Sequence, residues 1–530
     1  MTSRHRVLIA DPIHADGQKI LEETSGLSVE VATGLSEDEL VARMAGKDAL
    51  IVRSKTQVTK KIIAAGSDLK VIGRAGIGVD NIDVAAATER GIAVLNTPDA
   101  NATTTAELTI AHLLSLSRHL PQADRSVRRG EWSGAKFIGT ELAGKTIGII
   151  GFGTIGRLVA ARCAALRMRV VASDPFVTPE VIKQSGAEPA SLDSLLSEAD
   201  FVTLHCALGE KTRNILDAKR LSQMKHGARV INCARGGLVD EAALYDALKN
   251  GRLAGAALDV YATEPPKGSP LLGLDTVVLT PHLGASTQEA QQAVSVKIVQ
   301  DIAKLLETGV ADTAVNLPRI ATDQHGRTRP YQELAYALGR LIGSITEGPI
   351  TELVVRFFGR VAELDGRPIT AEALVGLLSK RLPGRVNRVN AAHLAQLQGI
   401  ALRESRSEQQ RDYVSLIEIS ALSGGVTTTV AGTLLGERLP RVVRVDDFHV
   451  EVIPEGHYLF TRHHDRPGVV GALGGILGRD KINISRMHVS SSDESEMAIG
   501  LIRISSPLSP TAIDEIRALP AIVKAMEIEL

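Results

Sequence analysis

Three polar residues of the 530-residue chain each close a short β-rich run and lead into turn-forming residues. Arg235 follows Val230-Ile231-Asn232-Cys233-Ala234 and precedes Gly236-Gly237. Glu264 follows Ala257-Leu258-Asp259-Val260-Tyr261, and His282 follows Val277-Val278-Leu279-Thr280-Pro281. Alone, each reads as an ordinary loop residue. Together they are the parts needed to oxidise a hydroxyl that stands beside a carboxylate. An imidazole titrates near neutrality and suits proton transfer. A neighbouring carboxylate holds the ring and stabilises the imidazolium. A guanidinium offers a planar fork to the substrate carboxylate and to the developing ketone oxygen.

Such chemistry needs a hydride acceptor, and a second motif supplies a place for one. Gly151-Phe152-Gly153-Thr154-Ile155-Gly156 follows the β run 146–150 and opens a helical stretch, and Asp174 closes the next β run eighteen positions after Gly156. In a chain with 48 glycines the glycine pattern alone is weak. A strand before it, a helix after it and an acid at the second strand end are the context a dinucleotide site requires. Gly151 permits the tight turn, Gly153 admits a pyrophosphate to the backbone, and Gly156 packs helix on strand. The amides near Thr154 and Ile155 stand at a helix N-terminus, which favours an anion. Asp174 accepts from ribose hydroxyls and repels the extra phosphate of NADP, so NAD is the expected cofactor. Asp259 is expected near the nicotinamide.

These residues need a parallel sheet to gather them. At roughly 150 residues per domain, the length implies three or four domains. The runs 7–10, 49–52 and 71–73 read as parallel strands alternating with helices, and a second α/β unit spans Lys145 to about Pro281. An amphipathic helix after Asn101 leaves the first unit. Another, expected to begin near Ser286 with a Ser286/Glu289 capping box and to end at Gly309, returns to it. The second unit is therefore read as an insertion in the first. Thr322 to Arg329 reads as a polar linker, and residues 330–453 as mixed helix and strand without a chemical constellation. From His457 onward the runs alternate βαββαβ, the ferredoxin-like plan.

Composition narrows the function classes. Sixty basic and 61 acidic residues give a net charge of -1, so no global field favours nucleic acid. The apolar runs fall far short of the ~20 residues a membrane span needs. Three cysteines (Cys163, Cys206, Cys233) lack metal-site spacing, so no metal is expected. The N-terminal residues show no signal-peptide core, and a cytoplasmic location is expected.

With Gly73 to Asp83, the glycine motif, Asn232 to Gly237, Asp259 to Pro265 and Pro281 to Ala285, residues 5–318 resemble the D-isomer-specific 2-hydroxyacid dehydrogenases. Residues 386–400 resemble the intervening domain of the long-form D-3-phosphoglycerate dehydrogenases, and the terminal unit resembles an ACT domain, an amino-acid-sensing module. The resemblance implies an α/β architecture with a Rossmann-type NAD domain (99–286) inserted in a flavodoxin-like substrate domain (1–98 and 287–318). An α+β intervening domain of the allosteric substrate-binding type (319–453) and a ferredoxin-like ACT domain (454–530) follow. It makes His282 the proton donor and acceptor, Glu264 its partner and Arg235 the substrate anchor. It places NAD contacts on Thr154, Ile155, Asp174, Cys206, Cys233, Ala234, Arg235, Asp259, His282, Leu283, Gly284 and Ala285.

A phosphorylated hydroxy acid needs a further cationic pocket. Arg53 and Arg74 follow strands of the first unit, facing the cleft, and suit a phosphate. The backbone at Gly76-Ile77-Gly78 and Asn101 would receive the carboxylate. By the resemblance, the reaction is NAD-dependent oxidation of 3-phosphoglycerate in serine biosynthesis, by a homotetramer without nucleic-acid or membrane partners. L-serine would act as effector at His463, Asp465 and Asn483, across ACT domains of neighbouring subunits. Lys136 is the one basic residue placed to reach a neighbouring active site, and Arg441 with Arg444 suggests a second anion site. The alternatives are another D-2-hydroxyacid dehydrogenase, such as a glyoxylate or hydroxypyruvate reductase, and an NAD-sensing scaffold.

Overall fold

A computed structural model describes residues 5–317, 325–491 and 496–530. The first unit is a parallel sheet ordered β2-β1-β3-β4-β5, with β1 His5–Ile9, β2 Leu27–Val31, β3 Ala49–Val52, β4 Val71–Arg74 and β5 Ala93–Leu95. Val, Ile and Leu fill both faces of the inner strands, as parallel sheets covered by helices demand. The chain leaves β5 through the helix Ala102–Arg118 and comes back through the helix Gln288–Thr308. Val294, Ile298, Val299 and Ile302 of the returning helix bury against Val7, Ile9, Val71 and Leu95. Gly73 permits this contact, because a Cβ there would lie 2.4 Å from the Ile302 side chain.

Between the two helices lies a seven-stranded parallel sheet, ordered β12-β11-β10-β9-β6-β7-β8. Its strands are β6 Thr146–Ile150, β7 Arg169–Ser173, β8 Glu188–Pro189, β9 Phe201–Leu204, β10 Ala228–Asn232, β11 Leu253–Leu258 and β12 Val277–Leu279. Strand order reverses at β6/β9. Ligands of doubly wound sheets bind in the crevice beyond the C-terminal strand ends at such a reversal.

The C-terminal half holds two more sheets. A six-stranded mixed sheet is ordered β14-β13-β15-β16-β17-β18, with β13 Ile350–Gly359, β14 Ala401–Ser407, β15 Ser415–Ser423, β16 Val426–Leu435, β17 Leu439–Val445 and β18 Phe448–Val452. The terminal βαββαβ unit has β19 His457–His464, β20 Ile484–Ser491, β21 Met497–Ile504 and β22 Ile522–Glu529, ordered β20-β21-β19-β22, with helices Val469–Arg479 and Pro510–Arg517. One face of this sheet packs on its own helices through Leu459, Ile502 and Ile504. The other face, with Tyr458, Phe460, Ile499, Leu501 and Ile528, joins the core of the mixed-sheet unit. Alternation along β19 sends consecutive residues to opposite faces, so both are apolar.

Two expectations need correction. Residues 325–329 of the expected linker are helical, the start of the helix His325–Ile345, while 322–324 and the 318/319 domain boundary lie outside the described residues. Leu334, Leu338, Leu341 and Ile345 fall at helical spacing and bury, so tertiary packing carries the helix back through a polar first turn. The returning helix is capped by Thr287, whose hydroxyl accepts from the Ala290 amide at 3.2 Å, and not by Ser286. The Gly309 end is as expected, with φ 72°.

Candidate active site

Strands β10, β11 and β12 are neighbours, so the loops after them share one edge. Arg235, Glu264 and His282 stand on those loops, and the chain ties them tightly. His282 Nδ1 lies 2.8 Å from Glu264 Oε2. Glu264 Oε1 accepts from the Tyr261 amide at 3.1 Å. Burial pushes the Glu264 carboxyl up. The His282 hydrogen bond and charge, the Tyr261 amide and the Arg235 charge together outweigh it and hold the group below its ordinary value. An ionised carboxylate only accepts, so the proton of the neutral ring sits on Nδ1 and the Nε2 lone pair is left free as a base.

Asp259 explains why this loop holds its shape. It is fully buried, and its carboxylate accepts from Thr280 Oγ1 at 2.6 Å, the Leu283 amide at 2.7 Å and the Gly284 amide at 2.9 Å. The expected nicotinamide neighbour is thus tied to its own chain, and it fixes the backbone around His282, whose φ is 57°. His112 completes the chain of bonds, with Nε2 at 3.0 Å from Thr280 Oγ1. Its pKa is lowered by burial, against the pull of Asp259.

The glycine motif fits a dinucleotide. Gly151 has φ 93°, and a Cβ there would meet the Cys206 amide at 2.7 Å. At Gly156 a Cβ would come within 2.3 Å of the Gly151 carbonyl. Gly153 faces open space and begins the helix Thr154–Ala165 without a side-chain cap, so free amides point at the gap. Asp174 is oriented by two backbone amides, from Phe152 at 2.7 Å and Phe176 at 2.8 Å. Cys206 and Cys233 stand at the ends of β9 and β10. Burial raises their thiols to about 11 and about 12, so they are apolar walls, not nucleophiles.

Opposite the histidine, the first unit contributes cations. Arg53 donates its backbone amide to Asp11 Oδ2 at 2.6 Å. Arg74 is largely buried, and its Nε finds no partner. Burial, then the nearby Arg235 and Arg53 charges, pull its guanidinium down to about 10 against the opposing pull of Asp80 and Asp11. The Arg74 guanidinium thus feels two like charges, and an anion beside it would relieve them. Asn101 is buried with Oδ1 unpartnered. A Cβ on Gly76 would strike Arg74 Nη1, and one on Gly78 would strike Arg235 Nη2.

One residue that ties the site together carried no role in the sequence reading. Asp80, within the Gly73–Asp83 motif, accepts from Arg235 Nε at 2.8 Å across the gap between the two units. Only the motif marked it, since 155 positions separate the partners.

In the terminal unit the expected effector residues do not meet within one chain. His463 is buried, 3.2 Å from Thr461 Oγ1, and the Asp465 amide bonds the Glu496 carbonyl at 2.9 Å. Asn483 bonds Ser505, past the far end of β21. Because His457 pairs with Ile504 and His464 with Met497, the two groups stand at opposite ends of the sheet, roughly 23 to 30 Å apart at about 3.3 Å per residue. Arg441 faces Glu451 at 3.8 Å, and Arg444 shares Glu418 with Arg356 and Arg411.

Comparisons with known proteins agree with this layout. Residues 110–284 match the D-isomer specific 2-hydroxyacid dehydrogenase NAD binding domain, 327–446 the D-3-phosphoglycerate dehydrogenase intervening domain, and 457–521 the ACT domain. The D-3-phosphoglycerate dehydrogenase of Methanocaldococcus jannaschii is 41% identical over 99% of this chain and 100% of its own. That of Synechocystis is 42% identical over 99% and 95%. The chain belongs to the D-3-phosphoglycerate dehydrogenase family. Among solved structures, a glyoxylate reductase from Paecilomyes thermophila matches with a TM-score of 0.56 at 32% identity, over 59% of this chain and 99% of its own. A D-lactate dehydrogenase from Aquifex aeolicus, complexed with NAD and lactic acid, matches at 0.53 and 28%, over 59% and 100%. The C-terminal half is what this family adds to that shared pair of units. The protein is an NAD-dependent oxidoreductase of this family, and no helix among the described residues is long and apolar enough to cross a membrane.

Proposed function

We propose that the cleft oxidises 3-phospho-D-glycerate to 3-phosphohydroxypyruvate, the first step of L-serine biosynthesis. The observation that carries this reading is the His282–Glu264 couple beside Arg235, whose charge, with that of Arg53, also reaches the largely buried Arg74. Arg235 and the amides of Ile77 and Gly78, with Asn101, hold the substrate carboxylate. Arg53 and Arg74 hold the phosphate by charge-assisted bonds. His282 Nε2 takes the hydroxyl proton as the C–H bond breaks, and Glu264 steadies the resulting imidazolium. NAD, held by Gly151 to Gly156 and Asp174, supplies the hydride acceptor. The products are a ketone, NADH and a proton carried off by the histidine.

An arm of exposed apolar residues supports assembly with further copies of the chain. Leu120, Val127, Trp132 and Ile138 are 52 to 92% exposed, and solvated apolar groups clustered in one segment mark a contact surface. Lys136 lies exposed on the same arm, where it suits a neighbouring active site. In this reading the enzyme is a cytoplasmic tetramer, with L-serine bound between terminal units of two chains.

Rates of NADH formation with 3-phosphoglycerate and with glycerate test the substrate. The phosphorylated acid is expected to win clearly, and Arg74→Ala to raise its KM by about 10- to 100-fold, the worth of a hydrogen bond to a charged group. A wild-type preference for glycerate points to the glyoxylate or hydroxypyruvate reductase alternative. Absence of any NADH formation points to a scaffold.

A further inference from the structure

The carboxylate seat is a loop, and something must hold it in shape. Gly76-Ile77-Gly78 has no regular secondary structure, and Gly76 takes φ 150°. Two bonds from one short segment grip it. The Thr97 amide donates to the Gly76 carbonyl at 3.0 Å, and Asn96 Nδ2 donates to the Ile77 carbonyl at 2.6 Å. Asn96 is 6% exposed and is anchored in turn by its own amide to the Thr313 carbonyl at 3.3 Å.

Peptide planarity converts these two bonds into a direction. Across a trans peptide, the carbonyl of one residue and the N–H of the next point opposite ways. Drawing the Gly76 and Ile77 carbonyls toward the 96–97 segment therefore turns the Ile77 and Gly78 amides to the other side of the loop. Neither amide donates to any group among the described residues. Arg74 Nη1 stands at the Gly76 Cα and Arg235 Nη2 at the Gly78 Cα, each 1.9 Å from where a Cβ would sit. Two parallel free amides flanked by two guanidiniums make a carboxylate seat.

We propose that Asn96 is a positioning residue for the reaction: its side-chain amide, with the Thr97 backbone, orients the Ile77 and Gly78 amides that receive the substrate carboxylate. The inference rests on the function proposed above. The residue touches neither the reacting atoms nor the cofactor, and its effect passes through the loop alone.

Asn96→Ala, with Asn96→Ser as a second variant should the first fail to fold, tests this in the full-length enzyme. A uniform loss of binding raises KM and spares kcat, so a KM increase of about tenfold or more with kcat within about threefold is expected. NADH affinity should be unchanged, because Asn96 belongs to the other unit. Oxalate, a small dicarboxylate, supplies a probe independent of the phosphate. It should raise the melting temperature of the NADH-loaded wild type and lose at least tenfold in affinity in the variant. An unchanged KM, a parallel loss of NADH affinity, or equal oxalate protection of both proteins overturns the tether. So does an absence of oxalate protection in the wild type. A wild type that binds oxalate but does not oxidise 3-phosphoglycerate overturns the substrate assignment and leaves the tether standing.

Discussion

The interdomain cleft and the terminal sheet handle their polar groups in opposite ways. In the cleft, one chain supplies every tie: Glu264 to His282, Asp80 to Arg235, and Asp259 to the 283–284 backbone. Six of these seven residues come from loops of a single sheet edge, and Asp80 reaches in from the neighbouring unit. In the terminal unit, His463 and Asp465 stand at one end of the sheet and Asn483 at the other. The difference is one of completeness. The proposed proton transfer would run inside one chain, whereas a ligand that used all three terminal residues would need two.

The sharpest attempt to break that contrast removes the base. His282→Ala should lower kcat by about 10² to 10⁴, the usual contribution of a positioned acid-base group, with NADH binding retained because the glycine motif is untouched. Single-turnover measurement of NADH formation checks it. Near-normal turnover would mean that the proton leaves by another route and that the couple with Glu264 is structural.

Next in size is the partner carboxylate. Glu264→Gln keeps the shape and removes the charge, and kcat/KM at neutral pH should fall by about 10- to 100-fold, at or below the low end for an acid-base group. Glu264 is held below its ordinary value by His282, Tyr261 and Arg235 against burial. Its charge is therefore present above that lowered value and is lost only as the pH falls through it. The charge-dependent gap between wild type and variant should close only at acid pH, below the ordinary carboxyl range, and persist from there to alkaline pH. A gap that closed near neutrality would place the charge on some other group.

Legibility in the sequence followed the same division. The strand ends carrying Arg235, Glu264 and His282 were readable because turn residues follow β runs, and the glycine motif was readable because its context is local. Pairings that close over long separations were not. Nothing near Asp80 announces Arg235, and nothing near Asn96 announces the Ile77 carbonyl. Asp259 illustrates another limit: its type and place suggested a cofactor contact, and its ties to Thr280 and the 283–284 backbone were not readable beside that. The helix His325–Ile345 begins in residues as polar as a linker, because its stability comes from Leu334, Leu338 and Leu341 in a core assembled by distant strands. For the terminal unit the βαββαβ alternation was plain in the chain. Its residues' separation across the sheet was not, because register is fixed by pairing and not by spacing.

The smallest expected effect decides whether the contrast is real. Asp465→Ala and Asn483→Ala should each raise the serine concentration needed for inhibition and leave uninhibited turnover unchanged. If a site takes Asp465 from one chain and Asn483 from its neighbour, co-assembly of the two variants places both substitutions in one site of a mixed pair and leaves the other intact. With random pairing of two-fold partners, about a quarter of all sites are then restored. Serine titration of the co-assembled enzyme should accordingly show a minor component with wild-type sensitivity, absent from either variant alone. A site built within a single chain could never recover by mixing, since every copy would carry one lesion. Recovery thus argues for a shared site. Its absence in a preparation shown to contain mixed pairs would move the effector site away from these residues.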